Sequence, residues 1–332
     1  MFAGILATLG GRWRPMSVCA VTRRLPGTAV DRLGTVHEVR VWPGELPPTR
    51  AELIALAHDA DALVTMLTDT VDSGVMDACP HLRAIANYAV GFDNIDLAAA
   101  AERGIAVGNT PNVLTDATAD LAFALLSAAA RHLTEADTYV RAGRWRTWEP
   151  ALLLGKPLKG ARLGIIGPGR IGRAVAERAI GYGMVVTTYG RIQDRAALDS
   201  LLATSDFVSL HCPLTPATRH LIDAGTLALM KPDAVLVNAA RGALVDLVAV
   251  AEALRAGRLG GAALDVTDPE PLPPDHPILA APNVVFAPHI GSATLVTRAA
   301  MADMAVDNIL QALAGHPMPN PVPLPPPEAP AK

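Results

Sequence analysis

The stretch "LGIIGPGRIGRAVAERAIGYGMVVTTYG" (163–190) restricts the fold of this chain more than any other. Apolar residues run to Ile166, a glycine-rich turn follows, a helix-periodic segment reaches about Tyr182, and a second apolar run ends at Tyr189. Strand, helix and strand in that order form a crossover unit, so the two strands lie parallel. Parallel strands are buried on both faces, which demands a sheet covered by helices. Within the unit, "GPGRIG" (167–172) has the spacing of the dinucleotide-binding fingerprint. Gly167 allows the tight turn, Gly169 lets backbone approach a pyrophosphate, and Gly172 lets helix pack on strand. The helix N-terminus supplies unpaired N–H groups and a dipole that favour the anion. A bare glycine pattern is weak; the strand before it and the helix after it give it its context.

The same alternation recurs along the chain. Strands are expected at 17–22, 36–42, 62–67 and 82–88, with helices at 49–59 and 94–104, the latter closed by Gly104. A long Ala/Leu-rich helix is expected at about 115–131, then a polar-aromatic arm "RAGRWRTWEP" (141–150). After the glycine-rich unit, further strands are expected at 207–211, 234–239, 261–266 and 283–287, and a last helix at 294–316. The fold class is therefore α/β with two parallel-sheet domains, consistent with 332 residues of which 51% are hydrophobic.

Several function classes are disfavoured. The net charge of -4 lacks the basic footprint of a nucleic-acid binder. Arg141, Arg144 and Arg146 cluster, but as a solvated arm. Cys19, Cys79 and Cys212 are too scattered for a disulfide framework or a metal site, which suits a reducing cytoplasm. The apolar run 121–130 is about half a membrane span. The arginines near the N-terminus follow its apolar part, the reverse of a signal peptide. Residues 1–15 are expected to form an extension outside the fold, with Met16 a candidate start, and the Pro-rich tail 320–332 to be extended.

Ligands of open α/β sheets bind beyond the carboxyl ends of the strands. Arg241 follows the strand at 234–239, Asp265 lies within 261–266, Glu270 stands just past it, and His289 follows 283–287. An Arg, a Glu and a His beyond consecutive strands suit a 2-oxo acid facing a nicotinamide. Arg241 can grip a carboxylate in bidentate fashion and polarise the adjacent carbonyl. His289 can protonate the carbonyl oxygen as hydride arrives, with Glu270 stabilising the imidazolium. Taken singly, each has a bland reading: a solvated loop His, a solvated acid, a structural ion pair.

At these residues the chain resembles the D-isomer-specific 2-hydroxyacid dehydrogenases, most closely their glyoxylate/hydroxypyruvate reductase branch. The resemblance rests on "NYAVGFDNID" (87–96), "GNTPNVLTDATADLAFALLSAAAR" (108–131), "LGIIGPGRIG" (163–172), "HCPLTPATRHLI" (211–222), "NAARGALVD" (238–246), "GAALDVTDPEPLPPDHPI" (261–278) and "PHIGSAT" (288–294). It implies Arg241, Glu270 and His289 as catalytic residues. It also implies Val90 and Gly91 backbone, with Ser292, around the substrate. Cofactor contacts are implied at Gly167, Gly169, Arg170, Ile171, Gly172, Gly190, Arg191, Pro213, Ala239, Asp265 and Gly291, with no metal. It implies a flavodoxin-like substrate-binding domain of 16–114 with 293–319 and a Rossmann domain of 115–292, with the active-site cleft between them.

The implied reaction is NAD(P)H-dependent reduction of glyoxylate or hydroxypyruvate to glycolate or D-glycerate. Reduction of another 2-oxo acid, a 3-phosphoglycerate dehydrogenase, and a non-enzymatic NAD(H)-sensing protein stand as alternatives. "TTYGRIQDR" (187–195) puts Gly190 and Arg191 where NAD enzymes carry an acid, so NADPH is expected over NADH, with NADH as the alternative cofactor. Arg195 offers a second contact. The connection after this strand is short, which implies loss of one edge strand. Trp145 and Trp148 in the polar arm lead to an expected homodimer.

Overall fold

The computed structural model describes residues 16–190 and 194–326; the expectations for residues 1–15, for Arg191 and for the last tail residues lie outside this range. The chain divides into two compact units, one holding the residues up to Val113 and from Leu295 on, the other Leu114–Thr294.

The first unit runs β1 (Val18–Val21), α1 (Ala29–Gly34), β2 (Glu38–Val41), α2 (Arg50–Ala57), β3 (Ala62–Thr65), α3 (Ser73–Ala78), β4 (Ala84–Asn87), α4 (Leu97–Glu102) and β5 (Ala106–Gly108). All pairings are parallel, in the order β2-β1-β3-β4-β5. β1, β3 and β4 are buried throughout, whereas edge strand β2 is partly exposed. Helix starts are set by side chains: Thr49, Asp72 and Asp96 accept the N–H groups of Glu52, Val75 and Ala99. Gly104, at φ +64°, ends the turn after α4.

The second unit runs α5 (Thr115–Ala130), α6 (Leu133–Arg141), β6 (Arg162–Ile166), α7 (Arg170–Gly181), β7 (Val185–Tyr189), α8 (Arg195–Thr204), β8 (Phe207–Leu210), α9 (Ala224–Leu227), β9 (Val235–Asn238), α10 (Leu247–Arg255), β10 (Gly261–Leu264) and β11 (Val284–Phe286). Its parallel sheet has the order β11-β10-β9-β8-β6-β7. One face packs Leu163, Ile165, Val237 and Ala263 against α5 and α7; the other packs Leu210, Leu236 and Leu264 against α8 and α10. Finally α11 (Leu295–Leu313) returns to the first unit, where it packs on β3, β4 and α1.

Several elements were not expected from the sequence, among them β5, α6 and α8. β5 is only three residues long and lies between glycines, too short for a period to show. α6 buries none of its residues, and Arg141 pairs with Asp137 along its exposed surface at 2.7 Å. α8 occupies the short connection after β7, for which no helix was expected; Asp194 opens it by accepting the Ala197 N–H at 3.0 Å. Among the described residues the sheet ends at β7, whose largely exposed side chains suit an edge.

Candidate active site

The strand register decides what stands together. Tyr189, Ile166, Leu210, Asn238, Leu264 and Phe286 form one row across the second sheet, and each is its strand's last residue. Gly167, Gly190, Ala239 and Asp265 come one residue past this row; Pro213, Arg241 and His289 come three past it. The sequence placed Asp265 inside its strand, whereas the strand closes at Leu264 and Asp265 begins the loop.

Around the turn the glycines are required for different reasons. Gly167 has φ +93°, and a Cβ there would lie 2.4 Å from the Cys212 nitrogen. At Gly172 a Cβ would lie 2.3 Å from the Gly167 carbonyl oxygen, so helix and turn touch. Gly169 has open space beside it, and directly after it α7 begins at Arg170 and Ile171. An open approach to the first turn of a 12-residue helix fits a dinucleotide pyrophosphate. Beside the same edge, the Tyr189 hydroxyl and His211 Nδ1 are buried and have no hydrogen-bond partner among the described residues. Two buried polar atoms in want of partners also fit a polar ligand at this edge.

His289 and Glu270 meet: Nδ1 lies 2.5 Å from Oε1, with the two side chains 26% and 33% exposed. The loop that carries His289 is pinned from below by Asp265, which is 2% exposed. Its Oδ1 accepts the Ile290 N–H at 2.7 Å, its Oδ2 accepts the Gly291 N–H at 2.9 Å, and its carbonyl accepts the His289 N–H at 2.8 Å. This fastening holds His289 at φ +54°, a left-handed backbone that a non-glycine residue adopts only when its surroundings impose it. Burial pushes the Asp265 carboxyl up, against the two N–H groups that pull it down. At Gly291 a Cβ would come within 3.1 Å of Asp265 Oδ2 and press on this fastening.

Arg241 closes the turn after β9. The Asn238 side chain donates to the Arg241 carbonyl at 2.8 Å, and Arg241 Nη1 donates to the Ala240 carbonyl at 2.9 Å. Ser292 follows the pinned loop. Arg195 forms an ion pair with Asp199 at 2.8 Å, one turn along the helix that Asp194 opens. Burial raises the Cys212 thiol to about 11 and the Cys19 thiol to about 12, so neither offers a thiolate near neutrality.

Val90 and Gly91 belong to the first unit, where the loop after β4 leaves that sheet's carboxyl edge. Two residues missed by the sequence reading organise this loop. The Asn109 side chain donates to the Val90 carbonyl at 2.7 Å, and the Asn87 side chain donates to the Gly91 carbonyl at 2.7 Å. The only signal was an Asn at the end of the apolar run that forms β4; β5, just before Asn109, gave none.

Residues 123–291 match the family described as D-isomer specific 2-hydroxyacid dehydrogenase, NAD binding domain. This chain belongs to the D-isomer-specific 2-hydroxyacid dehydrogenases. It is 47% identical over 311 residues to a glyoxylate reductase of Korarchaeum cryptofilum, covering 90% of this chain and 94% of that one. A Thermus thermophilus protein of known crystal structure is 50% identical with a TM-score of 0.86, over 92% of this chain and 99% of that one. An NADPH-dependent glyoxylate/hydroxypyruvate reductase from Sinorhizobium meliloti, solved with NADP and malonate, is 32% identical with a TM-score of 0.82, over 95% and 99% of the two chains. As in other dehydrogenases of this family, the second unit is a Rossmann-type nucleotide-binding domain. No helix among the described residues is long and apolar enough to cross a membrane.

Proposed function

We propose that the protein reduces glyoxylate and hydroxypyruvate to glycolate and D-glycerate. The reading rests above all on the His289–Glu270 pair, seated beyond the sheet edge that also carries Arg241 and the glycine turn. A bound dihydronicotinamide supplies the hydride. Arg241 grips the substrate carboxylate and polarises the neighbouring carbonyl, and the Val90–Gly91 backbone supplies further donors to that carboxylate. Because Glu270 occupies Nδ1, the nitrogen that faces substrate is Nε2 of His289. As the carbonyl carbon becomes tetrahedral its oxygen gathers negative charge, and Nε2 delivers the proton that makes the 2-hydroxy acid. Glu270 accepts the Nδ1 proton, which orients the ring, and offsets the charge on the doubly protonated ring, while Asp265 keeps the loop in place. A panel of 2-oxo acids ranked by kcat/KM, followed by loss of absorbance of the reduced cofactor, tests the assignment. The absence of turnover with both glyoxylate and hydroxypyruvate refutes it.

The preferred cofactor is NADPH. Support comes from the sequence at Gly190 and Arg191: a carboxylate there would repel a 2′-phosphate, whereas a guanidinium attracts it. Gly190 also leaves room for the Pro168 ring, which a Cβ would approach to 3.1 Å. Asp194, the acid nearest in sequence, is engaged as the N-cap of α8. The active species is a homodimer, supported by the exposure of Trp145 (59%), Trp148 (78%) and Leu154 (71%) on the second unit. Light scattering that gives a mass of 34.6 kDa at micromolar concentration refutes the dimer.

A further inference from the structure

The loop after β4 carries three consecutive carbonyls that all turn to the framework of the first unit. The Thr110 N–H donates to the Ala89 carbonyl at 2.9 Å, Asn109 Nδ2 to that of Val90 at 2.7 Å, and Asn87 Nδ2 to that of Gly91 at 2.7 Å. In a planar trans peptide the N–H points opposite to the C=O. Each donor therefore turns the next residue's N–H outward: Val90, Gly91 and Phe92 in turn. Among the described residues none of these three N–H groups donates a hydrogen bond. Val90 and Gly91 are half-buried and Phe92 is exposed, so the outward side of the loop is open to a ligand.

The two asparagines are themselves held. Asn87 is buried and bonded to Asn94 at 3.0 Å, and Asn94 donates to the carbonyls of Met66 and Asp69. The Asn109 carbonyl accepts from Asn308 Nδ2 at 3.0 Å, and its N–H donates to the Asn320 carbonyl at 3.1 Å. Asn308 is fully buried on α11 and its Oδ1 accepts the Asn320 N–H at 2.9 Å. So the returning C-terminal helix fixes the backbone of Asn109, and the Asn109 side chain fixes the peptide plane that bears the Gly91 N–H.

We propose that Asn109, backed by Asn308, and Asn87 are positioning residues that aim the Gly91 and Phe92 N–H groups at the substrate carboxylate. This rests on the reading above, in which the Val90–Gly91 backbone holds that carboxylate. An unsupported loop would let these peptides rotate, and an anion site built from backbone N–H groups works only while the planes stay aligned. The asparagines touch no substrate; they act through the carbonyls they occupy.

The test replaces the donor and keeps the shape: Asn109→Asp, with Asn109→Ser as the variant that carries the same test should the first fail to fold. Loss of an aligned donor to a charged group predicts a rise in glyoxylate KM of about 10- to 100-fold. Binding of oxalate, a dicarboxylate probe, weakens in parallel. Cofactor affinity, which belongs to the other unit, and Tm stay near wild type; a merely structural role would move these instead. Glyoxylate KM and oxalate affinity within about twofold of wild type in a folded variant overturn the positioning role. A wild-type protein without glyoxylate turnover overturns the proposed function on its own. Calorimetry with oxalate then decides the positioning: binding weakened by Asn109→Asp supports it, while equal binding, or none by the wild type, overturns it.

Discussion

Glu270→Gln tests how the His289 ring is held and charged. The amide oxygen of Gln still accepts the Nδ1 proton, so the geometry at 2.5 Å is retained and only the charge is lost. A hydrogen bond to a charged group contributes about 1.5–3 kcal/mol and a neutral one about 0.5–1.5 kcal/mol. The difference, about 1–1.5 kcal/mol, is roughly a 5- to 15-fold change in rate. With the two side chains 26% and 33% exposed, water screens part of the charge and the lower end is expected. His289→Ala removes the proton donor itself and is expected to cost about 100- to 10,000-fold in kcat, with cofactor affinity kept. The two effects are coupled: if Glu270 acts only through the ring, the double variant is no slower than His289→Ala alone. Single-turnover reduction of glyoxylate, followed by loss of reduced-cofactor absorbance for wild type, both singles and the double, measures this cycle. Additive losses would refute the reasoning and give Glu270 a role independent of His289. A His289→Ala variant within a few-fold of wild type would remove the proton-donor assignment altogether.

Arg241→Ala is expected to raise glyoxylate KM as well as lower kcat, because the carboxylate loses its bidentate partner; an unchanged KM counts against that grip. For Asp265→Asn, the buried carboxyl has its pKa raised, so ionisation costs stability as pH rises through that value and the neutral amide relieves this cost. The amide also sets an NH2 against one loop N–H, so kcat is expected to fall about tenfold or more with Tm near wild type; full activity would show that the loop needs no carboxylate. His211 is pushed by burial from 6.5 down to about 4. The unfolded chain therefore binds a proton between these values that the folded chain does not, and stability falls as pH drops through this window, by about 3 kcal/mol at most. His211→Asn is expected to flatten Tm against pH there; a parallel curve refutes it. Arg191→Asp is expected to abolish a preference for NADPH over NADH worth about 10- to 100-fold, and a wild type that favours NADH would show that Arg191 reads no phosphate.

Local sequence carries much of this protein. The glycine turn and the apolar strands act over a few residues, through φ angles and burial, so they are legible in one dimension. The placement of Arg241, Glu270 and His289 was legible for the same reason, since each follows its own strand and parallel strands end at one edge. The chain read alone did not disclose α8, whose cap comes from a single Asp, nor β5, which exists because β4 offers it a ladder and Pro321 bridges to its last residue, Gly108. Nor did it disclose what Asp265, Asn87 and Asn109 hold. Asp265 fastens a loop 25 residues away, and Asn109 is held by Asn308, 199 residues away. No local pattern encodes such a bond, because hydrogen bonds across that separation form only after the sheets have set the register and helix α11 has returned to its unit. Sequence determined which chemistry stands at the sheet edges; tertiary structure decided which carbonyls and N–H groups are spent on the framework and which are left to face a ligand.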